Sequence, residues 1–186
     1  MKKAVLATLI TSALLVSGSV NAEFLQNTLS GGYAHSHAKF AGEGENLKGF
    51  NIKYRHELND MWGIVGSFAY TNFNKDYNMM LPNANGVLEK TKVASYDLDY
   101  FSLTAGPSLR FNEYLSAYAL IGVGYGKAHA WLDGYASASE HKTSPAFGAG
   151  LQFNPVPNMT IDASYEYSKL GDVKVGTWMV GVGYRF

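Results

Sequence analysis

Apolar and polar residues alternate one by one over long stretches of this chain. In the last twelve residues, VGTWMVGVGYRF, Trp178, Val180, Val182, Tyr184 and Phe186 fall at every second position, with Thr177, Met179, Gly181, Gly183 and Arg185 between them. A period of two sends the two sets to opposite faces of a strand. Elsewhere Phe50, Ile52 and Tyr54 alternate with Asn51, Lys53 and Arg55, and Ile161, Ala163, Tyr165 and Tyr167 with Asp162, Ser164, Glu166 and Ser168. The pattern predicts eight strands near 28–38, 48–58, 62–73, 95–111, 115–128, 143–154, 159–169 and 174–186.

Two kinds of connection join them. Three are short and rich in turn formers: Leu58-Asn59-Asp60-Met61, Phe111-Asn112-Glu113-Tyr114 and Asn154-Pro155-Val156-Pro157-Asn158. The others, near 39–47, 74–94, 129–142 and 170–173, are polar and mostly longer, and they alternate with the short ones. Alternation alone also fits a soluble sandwich. An even strand number, long strands and aromatic residues at strand ends favour an all-β, eight-stranded antiparallel transmembrane β-barrel, with short periplasmic turns and four extracellular loops. Trp178 and Phe186 lie eight residues apart. At ~3.3 Å per residue that is roughly 26 Å of strand, or about 20 Å of height when tilted, close to the ~25 Å apolar band of such barrels.

The N-terminus agrees with export. Lys2 and Lys3 precede an apolar run from Ala4 to Val16, and Val20-Asn21-Ala22 supplies the small residues of a cleavage site. The expected organisation is a cleaved signal peptide over 1–22 and a barrel over 23–186. The run is too short to span a membrane as a helix, which takes about 20 apolar residues. No cysteine is present, so a secreted chain must hold together without disulfides. A net charge of zero gives no reason to expect a nucleic-acid partner.

The lumen of an eight-stranded barrel is only wide enough for side chains. Lys53, Arg55, Arg110 and Arg185 are expected to face Asp162 and Glu166 there, with Tyr118 and Gln152 between, as a self-satisfying polar plug. Gly148, Gly150, Gly181 and Gly183 would make room for the long side chains. A proton or ion path is the alternative role for the same residues.

Several segments, in order, carry a resemblance: KGFNIKYRHEL, GIVGSFAYT, GPSLRFNEYLS, GAGLQFNPVPN, IDASYEYSKL and VGTWMVGVGYRF. They are similar to the Ail/OmpX/Lom family of enterobacterial outer-membrane proteins, most of all to its Ail-like members. The departures fall in the long second loop and the third. The resemblance implies a non-enzymatic barrel in the outer membrane that needs no cofactor. Ail-like members serve attachment to host cells and matrix, invasion and complement resistance; OmpX-like members imply the alternative, a housekeeping barrel supporting the envelope. Implied partners are outer-membrane lipid and lipopolysaccharide, the assembly machinery and host matrix or complement-regulatory proteins, with the barrel itself a monomer.

Three sites follow. The terminal set Trp178, Val180, Val182, Tyr184 and Phe186 resembles the C-terminal signal read by the outer-membrane assembly machinery. Tyr77, Met79, Met80 and Leu81 form an apolar cluster in the second loop, either a ligand contact or a cap over the barrel mouth. Barrel closure would gather Lys39, Lys169 and Lys174 on one side of the outer rim, and the segments SHAK and YSKLGDVKVGTW resemble those whose lysines contact lipopolysaccharide in Ail-like members. Snorkelling of those lysines toward water is the competing reading. An enzyme is the rival class: His35, His37, His129 and His141 with Asp97 and Asp99 fall near the outer rim, but no catalytic motif accompanies them, and two imidazoles alone make a weak metal site.

Overall fold

A computed structural model describes residues 27–40, 43–82, 88–132 and 138–186. The expected signal segment lies outside them. Eight antiparallel strands close into a barrel in sequence order: β1 (Asn27–Phe40), β2 (Glu43–Glu57), β3 (Trp62–Pro82), β4 (Leu88–Arg110), β5 (Leu115–Leu132), β6 (Ala138–Val156), β7 (Met159–Leu170) and β8 (Val173–Arg185).

The short turns form because asparagine side chains replace missing backbone partners. Asn59 Oδ1 accepts the Met61 and Trp62 amides at 3.0 and 2.8 Å, and Asn112 Oδ1 accepts those of Tyr114 and Leu115 at 2.9 and 2.8 Å. In the third turn Asn154 Nδ2 donates to the Met159 carbonyl at 3.0 Å and to Thr160 Oγ1 at 2.7 Å. At the opposite end, β7 and β8 join through Gly171-Asp172, where a positive φ of 65° at Gly171 suits glycine.

Closure ties down the chain end. β1 pairs with β8 from Thr28↔Arg185 to Lys39↔Lys174, and beyond this the Asn27 amide donates to the Phe186 carbonyl at 2.9 Å while the Phe186 amide donates to Asn27 at 2.8 Å. No backbone edge is left in the lipid-facing wall, as a hydrocarbon surround requires. The seam is tight: a Cβ on Gly32 would come within 2.3 Å of the Gly181 Cα.

Polarity is inside out relative to a soluble protein. Lys53, Arg55, Gln152, Asp162 and Glu166 are at most 2% exposed, whereas Leu103, Ile121 and Val182 are about 60% exposed on the outer face. Such a surface is stable only against lipid. Aromatic residues belt it at two heights. Tyr33, Phe50, Phe68, Tyr70, Phe101 and Tyr125 form the outer belt, with consecutive ring centroids such as Tyr70–Phe101 4.7 Å apart, and Trp178 meets Tyr33 at 5.8 Å. Tyr54, Trp62, Phe111, Tyr114, Tyr184 and Phe186 mark the periplasmic end, all at least 37% exposed.

Two expectations need correction. The strands run well past the lipid, so most of 39–47, 74–94 and 129–142 is hydrogen-bonded strand and not loop. Tyr77, Met79, Met80 and Leu81 therefore sit in β3, in register with Ala94, Thr91, Lys90 and Glu89, beside a bulge at Tyr77/Asn78; Met80 is 66% exposed. Backbone pairing continues in water once a hairpin is started, even where neither face has lipid to contrast with a core. The second correction concerns glycines. Gly150 does make room for a long side chain, since a Cβ there would touch the Tyr118 ring at 2.4 Å, but Gly181 and Gly183 lie against the backbone of β1.

Candidate functional site

The lumen is layered. At the periplasmic end Glu57 is a hub: its carboxylate accepts Arg185 Nη2 at 2.8 Å, pairs with Arg110, and lies 3.5 Å from Arg55 Nη2. Arg55 also donates to Gln152 Oε1 at 3.0 Å. In the middle, Lys53 Nζ donates to Asp162 Oδ1 at 2.6 Å, and the Tyr118 hydroxyl donates to Asp162 Oδ2 at 2.8 Å. Higher up, Glu166 accepts from Tyr100 and Thr104, each at 3.2 Å, beside the hydroxyl cluster Ser36, Thr71 and Thr177. Sequence reasoning missed Glu57 as the acid that gathers three arginines. The signal was present, since Lys53, Arg55 and Glu57 share one parity on β2.

On the outer face, Lys39 of β1 is in register with Lys174 of β8, and Lys174 with Lys169 of β7. All three are exposed, on the face that carries Tyr167, Tyr165 and Trp178 two to four residues closer to the membrane centre. Directly opposed residues have Cβ atoms about 4.5–5.5 Å apart, and like charges so placed repel. The row sets three like charges side by side on the outer face.

The rim histidines and aspartates are dispersed. His35 stacks on Trp178 with centroids 5.3 Å apart, and His37 Nδ1 lies 2.9 Å from Asn46 Oδ1. His129 is in register with Asp97, but that carboxylate accepts from Asn74; Asp99 accepts the Tyr70 hydroxyl at 2.8 Å, and His141 stacks on Tyr125.

Closed wall, lipid-facing apolar band, aromatic belts and a filled polar lumen together define a small outer-membrane β-barrel. Comparison with known proteins narrows this. Residues 4–186 match the outer membrane protein beta-barrel domain family. The chain is 50% identical to the attachment invasion locus protein of Yersinia enterocolitica, covering all of both chains, and 40% identical to outer membrane protein X of Enterobacter cloacae, again over all of both. The crystal structure of Ail from Yersinia pestis, in complex with the heparin analogue sucrose octasulfate, matches 87% of this chain and 98% of its own with a TM-score of 0.76 and 50% identity. The chain belongs to the Ail/OmpX/Lom family of outer-membrane β-barrels, and its place is the bacterial outer membrane.

Proposed function

We propose that this barrel is a non-catalytic surface protein that attaches the bacterium to host cells and matrix, promotes invasion and resists complement. The extracellular ends of its strands and the connections within 39–47, 74–94 and 129–142 would carry the contacts. The observation that carries the reading is the in-register row Lys39–Lys174–Lys169 at the lipid boundary. Its ammonium groups would hold lipopolysaccharide phosphates and pack the lipid closely around the barrel, while the strands above project beyond the headgroups. The sulfated ligand of the Yersinia pestis relative supports a polyanionic host ligand as well.

The expected result for Lys39→Ala, Lys169→Ala and Lys174→Ala combined is weaker lipopolysaccharide binding and poorer serum survival, with folding retained. Binding should also fall steeply with salt, because exposed charge pairs are screened over a Debye length of about 10 Å at 0.1 M. Affinity at low salt that is the same in the triple variant and the parent protein would leave these lysines as mere snorkelling groups.

The relationship to outer membrane protein X favours a second reading, a housekeeping barrel without a host ligand. Expression in a non-adherent, serum-sensitive strain separates the two. The attachment reading expects gains in adhesion and serum survival that disappear when the extracellular segments are exchanged for those of an inert relative. Neither gain appearing would leave the housekeeping role.

A further inference from the structure

Deeper in the lumen, polar and charged residues are interspersed with the small apolar clusters Ala34–Ala69–Met179 and Val65–Tyr118–Leu120. At the extracellular mouth Leu47, Tyr100, Leu170 and Val175 pack together with partly buried Ala38, Leu98 and Val173. They floor an open cavity of about 640 Å³. Pockets of this size hold drug-sized molecules, and an apolar base with a few polar groups is their usual lining.

The wall of the cavity has a definite sign. Its inward-facing lining includes the carboxylates of Glu45 and Glu140, with Asp172 at the β7–β8 turn, against the ammonium group of Lys142. Asp99, Lys127 and His141 also border it but stand at outward-facing positions, beside Tyr70 and Tyr125 of the outer belt. Lys142 Nζ lies over the Gly171-Asp172 turn. Glu45 lines the same cavity as the Tyr96 ring, which is 37% exposed. Burial first, and the Glu45 charge second, raise the Tyr96 phenol above its ordinary value, so the ring stays neutral. An exposed aromatic face beside a carboxylate is a favourable place for an organic ammonium group.

We infer that this mouth is a binding site for small amphipathic cations, an aromatic or branched apolar group settling on Leu47, Leu170 and Val175 while its amine lies between Glu45 and Tyr96. The site is separate from the lysine row, which faces outward and has the opposite charge, and it stands or falls independently of the attachment role.

Tryptamine and indole-3-propionate make a matched pair of probes, with the same ring and opposite charge. The whole barrel in phospholipid nanodiscs, with leucine and valine methyl groups labelled for NMR, reports where each binds. Tryptamine is expected to shift the Leu47, Leu170 and Val175 methyls and to saturate near about 1 mM, as befits a ligand of its size. Indole-3-propionate should bind at least about fivefold more weakly. Val175→Trp, which fills the floor, should abolish the shifts. The combined variant Glu45→Gln, Glu140→Gln and Asp172→Asn changes only wall residues outside the packed floor and should erase the preference for the amine. Equal binding of the two probes by the parent protein would overturn the inference, as would shifts confined to lipid-facing Val180 and Val182, or a neutralised wall that still prefers tryptamine.

Discussion

Glu57→Gln is expected to lower the stability of the barrel by about 3–5 kcal/mol, the range for removing one partner from a buried ion pair. Glu57 is 6% exposed and its carboxylate meets Arg55, Arg110 and Arg185. An amide can accept one of those hydrogen bonds but cannot offset three guanidinium charges in a lumen too narrow for bulk water. The cost is therefore mostly repulsion and desolvation of the arginines left behind. Urea titration of the protein in phospholipid vesicles, followed by the mobility change that folded barrels show on boiling, measures it. Glu113→Gln in an exposed turn is the control, with an expected effect within about 0.5 kcal/mol. A Glu57→Gln midpoint that coincides with the control would show that the arginines are satisfied without the carboxylate.

Deleting Phe186 should cut the amount of barrel in the outer membrane far more than it weakens barrel already folded. The loss to the fold is bounded: two terminal hydrogen bonds with Asn27 and a stacked contact with Tyr184, ring centroids 6.4 Å apart. Two hydrogen bonds contribute about 1–3 kcal/mol at most. If the terminal aromatic is also the address read during assembly, the cellular defect exceeds what that loss explains. Membrane fractionation gives one number and urea titration of refolded protein the other. Normal outer-membrane levels of the truncated chain would reduce Phe186 to an ordinary wall residue.

The spanning part of the fold was legible in the sequence because lipid outside and a polar lumen inside impose opposite demands on neighbouring residues. Phe50, Ile52 and Tyr54 against Asn51, Lys53 and Arg55 mark a strand with two unlike faces, and the even strand number, long strands and aromatic ends decide for a barrel over a sandwich. Beyond the lipid the contrast disappears. Residues 74–82 and 88–94 lie in strands that meet water, where Asn74, Lys75 and Asn78 look like loop residues, so the hairpin they build was not visible. Register was equally hidden. Strand count and closure bring Lys39, Lys169 and Lys174 to one side of the rim, but only the pairing of backbones puts them in one row. Glu57 escaped notice because it stands two residues before the Asn59 turn, where an acid resembles a wet rim residue. The apolar floor of the mouth escaped for a related reason: Leu47, Leu170 and Val173 were read as parts of loops, and a leucine in a loop carries no direction.

The hydrogen bonds between Asn27 and Phe186 close the wall into a ring whose first and last paired residues meet at the periplasmic rim. Nothing in the pairing distinguishes the β1–β8 junction from the other seven. A circularly permuted barrel, with Asn27 and Phe186 joined by a short linker and the chain opened at Gly171-Asp172, would keep the same wall while moving both ends to the cell exterior. Where the polypeptide starts and stops is then a matter of delivery to the membrane, and the barrel, once closed, has no beginning.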